Sequence, residues 1–575
     1  MKYKTFVVVA VAWLLSGCNF DSKLGGPLVE KIFGVPETPL TYCAAELNTL
    51  APTAIVTSGF GMDINNTRNV ASGIDSSNVA NLSLKFTVVD EGKEIRRGAP
   101  AATENVLYYA GVDKAYALDR ETGCAYWYYQ PPEQFGEIRS ASVLLVDEPT
   151  LGKRLMIIGT RHAEVVALDA VTGKPVWTQF AGNPGWLTIN GINKNYSMIT
   201  GGMQYHDGRV YVPIASYEVA LAAVEPACCF SHGLLTVLDA TDGSEVWTYH
   251  TTAKAEMQEG NPSKWGPSGA AIWSTPLIDA ARNQVLVGTS QNFTKPQTAN
   301  SDAVVALDIA TGAEKWVFKA TLEDYYNASC AVDNPPFPNC PQPVYDYDVI
   351  TPILADRGTP DPADDLIIAG DKSGTVYSLD PADGSHNWDS KIGAGGLLGG
   401  IHWAMAVDNN RVYAGVADFK VPKAVLLGST VADLLDIYPS QVDGATPGVY
   451  ALNLADGSIA WQRQDIQHSY NGAMYDSIFS AGVTLTNDVL FAGSLDGTLY
   501  AFNKNSGADL WQYYAGGATT DIMGRKGNGG AIDSVGAVIA GDEVILNSGY
   551  SVFNIGGKNQ WQGGPGNAIF IFQLP

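Results

Sequence analysis

Ala306-Leu307-Asp308-Ile309-Ala310-Thr311-Gly312-Ala313-Glu314-Lys315-Trp316 reads as strand, tight turn, strand. The apolar run that ends at Leu307 is a strand signal. Asp308 can accept backbone N–H bonds and Gly312 tolerates positive φ, so the chain reverses between them. Trp316 then adds a large apolar surface with one N–H to satisfy. The usual pattern is Leu-Asp, two residues, Thr/Asp-Gly, three residues, Trp. It occurs seven times, ending at Trp127, Trp177, Trp247, Trp316, Trp388, Trp461 and Trp511, with Asn replacing Asp in the last two. Two strands joined this way cannot bury both faces alone, so neighbouring copies must stack.

Successive motif tryptophans are 50, 70, 69, 72, 73 and 50 residues apart. A four-stranded blade needs roughly 40–50 residues. The longer periods therefore carry insertions, near residues 185–205, 217–232, 252–270, 320–348 and 420–447. Such loops should share one face and build the functional site. After Trp511 three more strands follow without a closing motif: 535–539, 543–546 and 568–572. The unpaired run Leu82–Val89 can supply their fourth strand and remove the open edges. The expected fold is thus all-β: an eight-bladed β-propeller with tryptophan-docking motifs, closed by an N-terminal strand.

Net charge is −24, which argues against nucleic acid or an anionic membrane surface as a partner. Residues 1–17 read as a signal peptide, with a basic start (Lys2, Lys4) and an apolar core from Phe6 to Leu15 too short to span a membrane. Leu15-Ser16-Gly17-Cys18 follows directly. It resembles a bacterial lipobox, which implies cleavage before Cys18 and lipidation there. Asn19 after the cysteine favours the outer membrane by the sorting rule known for enteric bacteria, facing either the periplasm or the cell surface. Residues 18–50 are then a lipidated tether, and 51–575 the propeller.

Six cysteines remain after Cys18, an even count that suggests disulfides in an exported chain. Cys330 and Cys340 bracket a proline-rich loop and can bridge locally. Cys228 and Cys229 are adjacent, and they bond to each other, pair elsewhere or stay reduced. By elimination Cys43 pairs with Cys124. No Cys-x-x-Cys-His occurs, so no c-type haem is attached to this chain.

The tryptophan motif, with Ile272-Trp273-Ser274-Thr275-Pro276, Ser216-Tyr217-Glu218, Cys228-Cys229, Gly399-Gly400-Ile401-His402-Trp403 and Asn547-Ser548-Gly549-Tyr550, resembles the quinoprotein alcohol dehydrogenases. These are eight-bladed propellers that bind pyrroloquinoline quinone (PQQ), and the polyvinyl-alcohol-dehydrogenase-like branch looks nearest. The resemblance implies PQQ and Ca²⁺ as cofactors. It implies hydride transfer from an alcohol, secondary and in some cases polymeric, and an external electron acceptor, a cytochrome c or a quinone. Trp273 matches the tryptophan under the PQQ ring. Glu218 matches a calcium carboxylate. Gln291 holds the second ligand position where relatives have Asn or Asp, and Asn292 can serve by a one-residue shift. Asp324 falls on the catalytic aspartate, beside the metal, and Lys372 on the basic residue at the quinone oxygens. Cys228-Cys229 resemble the vicinal disulfide over the other PQQ face. Where the branch has Phe-Arg-Gly, this chain reads Phe230-Ser231-His232-Gly233, and no histidine near His232 in sequence makes it a metal ligand.

A second function class stays open on sequence: a non-enzymatic propeller lipoprotein that binds partners at the outer membrane, either an enzyme fold that has lost its cofactor or an assembly scaffold. The scaffold class shares the motif propeller and needs none of Glu218, Trp273 or Asp324. The insertions and the vicinal cysteines favour the enzyme.

Overall fold

In the computed structural model, Ala303–Asp308 pairs antiparallel with Glu314–Lys319 across the turn read from the sequence. Asp308 Oδ1 accepts Ala310 N (3.1 Å), Thr311 N (2.9 Å) and Thr311 Oγ1 (2.9 Å), which ties the turn. Gly312 has φ 72°, and a Cβ there would stand 2.5 Å from the ring of Trp247, the motif tryptophan of the preceding repeat. The same approach joins Gly173 to Trp127, Gly243 to Trp177, Gly384 to Trp316, Gly457 to Trp388 and Gly507 to Trp461. Four of these rings also donate their N–H to a backbone carbonyl of the next repeat. Six inter-repeat joints are therefore built alike, one motif's glycine making the seat that the preceding motif's tryptophan fills, while Gly123 meets Ile522 and Phe86 and Trp511 packs on Phe572 where the ring closes.

The structure describes residues 41–47, 53–90, 98–182, 188–189, 192–193, 195–223, 225–331, 337–343, 345–359, 361–396, 399–420, 440–441, 443–470, 472–550 and 563–575. The signal peptide, Cys18 and nearly all of the tether lie outside them, as does most of the 420–447 insertion. Eight antiparallel sheets follow one another as blades 1 to 8. Their innermost strands begin at Ala101, Leu144, Gln204, Leu277, Ile353, Ala406, Thr484 and Ala537. Blade 8 is composite: Ser83–Val89 pairs with Ala568–Gln573, as the missing strand required. Ile55–Thr57 adds a further strand to blade 1. Apolar cores fill the spaces between neighbouring blades, for example Val88, Val538 and Ile569 against Leu107, Tyr109 and Leu118 where blade 8 meets blade 1. Among the described residues the one α-helix is the single turn Glu218–Leu221. No helix among them is long and apolar enough to cross a membrane.

The lead-in before blade 8's first strand crosses the ring. Gly59 N bonds Val143 O of blade 2, Ile278 N of blade 4 bonds Ile64 O, Leu354 N of blade 5 bonds Asn65 O, and Val407 N of blade 6 bonds Thr67 O. Arg68 is fully buried and donates to Phe60 O, to Val483 O and Thr484 Oγ1 of blade 7, and to Val535 O just before blade 8's strand. Buried without hydrogen bonds, that guanidinium would carry a large desolvation cost. With them it pins the lead-in to blades 7 and 8, so that this one loop bonds to six blades.

A candidate cofactor and metal centre

Antiparallel pairing decides where the site residues meet. Each innermost strand starts at one end of the axis, and the second strand returns to that end. The turn entering the first and the turn leaving the second therefore face each other. Trp273, Asp348, His402, Ser480 and Asp533 sit in entering turns, of blades 4, 5, 6, 7 and 8. Glu218, Gln291 and Lys372 sit in leaving turns, of blades 3, 4 and 5. Trp273 packs against the core between blades 8 and 1, the core between blades 5 and 6, and the cluster holding Cys228 and Cys229, so it reaches across the axis.

The indole N–H of Trp273 donates to Asp348 Oδ2 at 3.0 Å. Lys372 Nζ lies 2.7 Å from the same oxygen, 2.9 Å from Asp346 Oδ1 and 5.7 Å from the Trp273 ring. Gln291 N donates to Asp348 Oδ1 at 3.1 Å. Burial works against the Lys372 charge, but Asp346 and Asp348 outweigh it and hold the ammonium above the usual lysine range. Burial raises the Asp346 carboxyl well above normal even though Lys372 pulls it down. Sequence reasoning missed both aspartates. Their signal was the Asp-Tyr-Asp spacing (Asp346, Tyr347, Asp348) just before an innermost strand, where alternation puts two carboxylates on one side.

Asp324 Oδ2 accepts Tyr347 N at 2.8 Å, so it braces the backbone between those aspartates. No N–H among the described residues reaches its Oδ1, which shares its buried surroundings with the Asp302 carboxyl, and burial pushes the Asp324 pKa to about 7. Gln291 Oε1 is likewise buried and without an N–H partner, while its Nε2 donates to Tyr326 O at 3.4 Å. Asn292 bridges to Tyr325 in parallel pairing, which sets Gln291 beside Asp324. Asn292 itself is committed elsewhere: Oδ1 accepts Thr298 N (2.9 Å) and Nδ2 donates to Ser268 O (2.9 Å). Two oxygen atoms that no N–H among the described residues reaches, one from a carboxylate and one from an amide, are the donor type a hard cation takes.

Glu218 is fully buried, and burial lifts its pKa to about 7 against several hydrogen bonds. Its Oε2 accepts Phe230 N (2.9 Å), Ser231 N (2.7 Å) and Ser231 Oγ (2.5 Å). The carboxylate thus clamps the residues just after the cysteine pair, and one oxygen of it lies within 4.8 Å of both sulfurs. Cys228 and Cys229 bond to each other, and Cys43–Cys124 and Cys330–Cys340 form as expected. One expectation needs correcting. A second histidine does stand beside His232: the sheet register brings His250 Nδ1 to 3.2 Å from His232 Nε2, across a hairpin that sequence distance conceals.

Comparison with known proteins gives the family. The family model of the PQQ-binding glucose/ethanol/alcohol dehydrogenase β-propeller domain matches residues 61–339. That of the outer membrane protein assembly factor BamB matches residues 442–563, which carry the repeat but none of Glu218, Trp273, Gln291, Asp324 or Lys372. The chain belongs to the PQQ-dependent quinoprotein alcohol dehydrogenase family, and its class is therefore enzymatic. Within that family it is similar to the polyvinylalcohol dehydrogenase of Sphingopyxis sp., at 32% identity over 87% of this chain and 73% of the relative. The polyvinylalcohol dehydrogenase of a Pseudomonas species is 31% identical over 90% of this chain and 76% of the relative. Among solved structures, the quinohemoprotein alcohol dehydrogenase from Comamonas testosteroni shares the fold with TM-score 0.62 at 18% identity, over 100% of this chain and 84% of that one.

Proposed function

We propose that this protein oxidises secondary alcohols, including hydroxyls carried on a polymer, with PQQ and Ca²⁺, and passes the electrons to an external cytochrome c or quinone. The observation that carries the reading is the sharing of Asp348 by Trp273, Lys372 and Gln291. It locks an aromatic platform, a cation and a candidate metal ligand into one rigid unit. When bound, PQQ supplies a hydride acceptor and the cation polarises it. Trp273 offers the stacking face, and the Cys228–Cys229 cluster, which packs on Trp273, helps to exclude water. Lys372 would donate N–H bonds to the quinone oxygens. Gln291 Oε1 and Asp324 Oδ1, with Glu218, would hold the cation.

The alcohol proton needs an acceptor within reach of Lys372. Asp346 fits this better than Asp324: it contacts Lys372 and keeps 7% of its surface exposed, whereas Asp324 has none exposed. Asp348 has both oxygens engaged and acts as the brace. Lipidation at Cys18 and anchorage at the outer membrane belong to the same proposal and rest on the sequence.

The test is to add PQQ and Ca²⁺ to the full chain and follow melting temperature, then dye reduction with a panel of alcohols that includes polyvinyl alcohol. A rise in melting temperature and turnover of secondary alcohols are expected. No binding of PQQ at any Ca²⁺ concentration would sink the reading.

A further inference from the structure

Glu218, Gln291 and Asp324 come from three separate segments, and two asparagines knot those segments together. Asn327, three residues after Asp324, is fully buried and donates its Nδ2 to Phe293 O at 2.9 Å and to Asn339 O at 3.0 Å. Phe293 lies two residues after Gln291. Asn339 in turn donates its Nδ2 to Ala222 O and to Glu225 O, both at 2.8 Å. Ala222 caps the turn that Glu218 opens.

A single helical turn is too short to hold itself in water, and the carbonyls at its end have no partner within it. One amide nitrogen of Asn339 serves two of them. Asn339 is itself held on several sides. Its N–H donates to Ser329 Oγ at 3.1 Å, and Ser329 Oγ donates to Phe337 O at 2.9 Å. Ser329 N donates to Asn327 Oδ1 at 3.0 Å. The Cys330–Cys340 disulfide closes the loop next to Asn339. Cross-linking a loop lowers the entropy lost when its residues take up one arrangement.

We infer that Asn339, held by the Cys330–Cys340 loop, is a positioning residue for the metal centre, setting the Glu218 backbone against the Gln291 and Asp324 segments. The inference rests on the Ca²⁺ reading. Asn339 and the two cysteines act through the backbone that carries the ligands. A cation is held tightly when its oxygens are already in place, so loosening one ligand segment costs affinity.

Calorimetry of the full chain with Ca²⁺ tests this on the wild type, Asn339→Ala, the double variant Cys330→Ser/Cys340→Ser and the triple combination. Asn339→Ala should weaken Ca²⁺ binding about tenfold or more, as loss of an outer partner does at metal sites. The double variant keeps Asn339 but opens its loop, and should lose a smaller factor. The triple variant should bind as Asn339→Ala does, because the disulfide acts through that side chain. Gly208→Ala is the control: it strains the turn between blade 3's first two strands, at the other end of the axis, and should keep wild-type affinity. Wild-type affinity in Asn339→Ala overturns the inference while the Ca²⁺ reading stands. Losses that multiply in the triple variant overturn it too, because the disulfide would then act by another route. An equal loss in Gly208→Ala does the same, since the effect would be general destabilisation. Metal-free melting curves establish that the variants fold. Should Asn339→Ala not fold, wild-type affinity in the double variant overturns the inference. A wild type that binds no Ca²⁺ removes both readings.

Discussion

Trp273 and Asp348 are joined by a 3.0 Å hydrogen bond between residues 75 positions apart, from the entering turns of adjacent blades. The bond fixes the indole in its plane. Asp348→Ala removes it, leaves Lys372 with Asp346 alone, and strands a buried N–H. Unfolding in urea should show a loss of about 2–4 kcal/mol, and PQQ should bind more weakly. Asp348→Asn keeps an acceptor and should lose less on both measures. A wild-type midpoint for Asp348→Ala would show that the brace is not needed.

The roles of the two other aspartates separate in kinetics. Asp346→Asn should keep PQQ bound and slow turnover by about 10²–10⁴-fold, the usual contribution of a general base. Asp324→Asn should weaken Ca²⁺ binding, read by calorimetry, and recover most of its turnover at saturating Ca²⁺. The reverse outcome, with Asp324→Asn dead at saturating metal and Asp346→Asn active, would return the base to Asp324.

The joint between blades can be tested at two glycines. Gly312→Ala meets both a positive φ and the Trp247 ring, whereas Gly208 has φ 72° with nothing within 4 Å of an added Cβ. Gly208→Ala should cost about 1 kcal/mol from backbone strain alone. Gly312→Ala should cost about 2–4 kcal/mol, the excess reporting the displaced ring. Chemical denaturation of both variants reads the difference, and equal costs would mean that the seat tolerates a methyl group.

Acidity should affect the metal-free protein in an unusual direction. Burial raises Glu218 and Asp324 to about 7 and Asp371 to about 6. Between about pH 4.5 and 7 the folded state therefore holds protons that the unfolded state has released. Stability falls as pH rises through that window, and each such group contributes about 1.4 kcal/mol per unit at most. The carboxylates with lowered pKa, such as Asp119 and Asp169, are ionised throughout it and do not offset the trend, whereas His232 and His250, whose pKa burial lowers, offset part of it below about pH 6.5. Melting temperature without Ca²⁺ should drop from pH 5 to pH 7, and added Ca²⁺ should flatten the slope, with affinity rising as pH rises. A metal-free melting temperature that climbs over this range would contradict the burial of these acids.

The sequence by itself determined the ring. The Leu-Asp…Thr-Gly…Trp turn is local chemistry: an acceptor, a residue free at positive φ and a large apolar ring within eleven positions. Repetition then required stacking, and the orphan strand at 82–89 showed how the ring closes. The same reading expected the Cys330–Cys340 and Cys43–Cys124 bonds and left Cys228–Cys229 open, and the structure forms all three. Only the tertiary structure decided which side chains work together. Asp346 and Asp348 pair with Lys372, Asp533 reaches His402 through Ser480, and His250 joins His232, each across turns or blades far apart in the chain. The same holds between Gln291 and Asn292, adjacent in sequence, where strand pairing points one amide to the site and ties the other into a loop. The physical reason is that periodicity is written along the chain, whereas charge pairing and desolvation depend on what the ring brings to its axis.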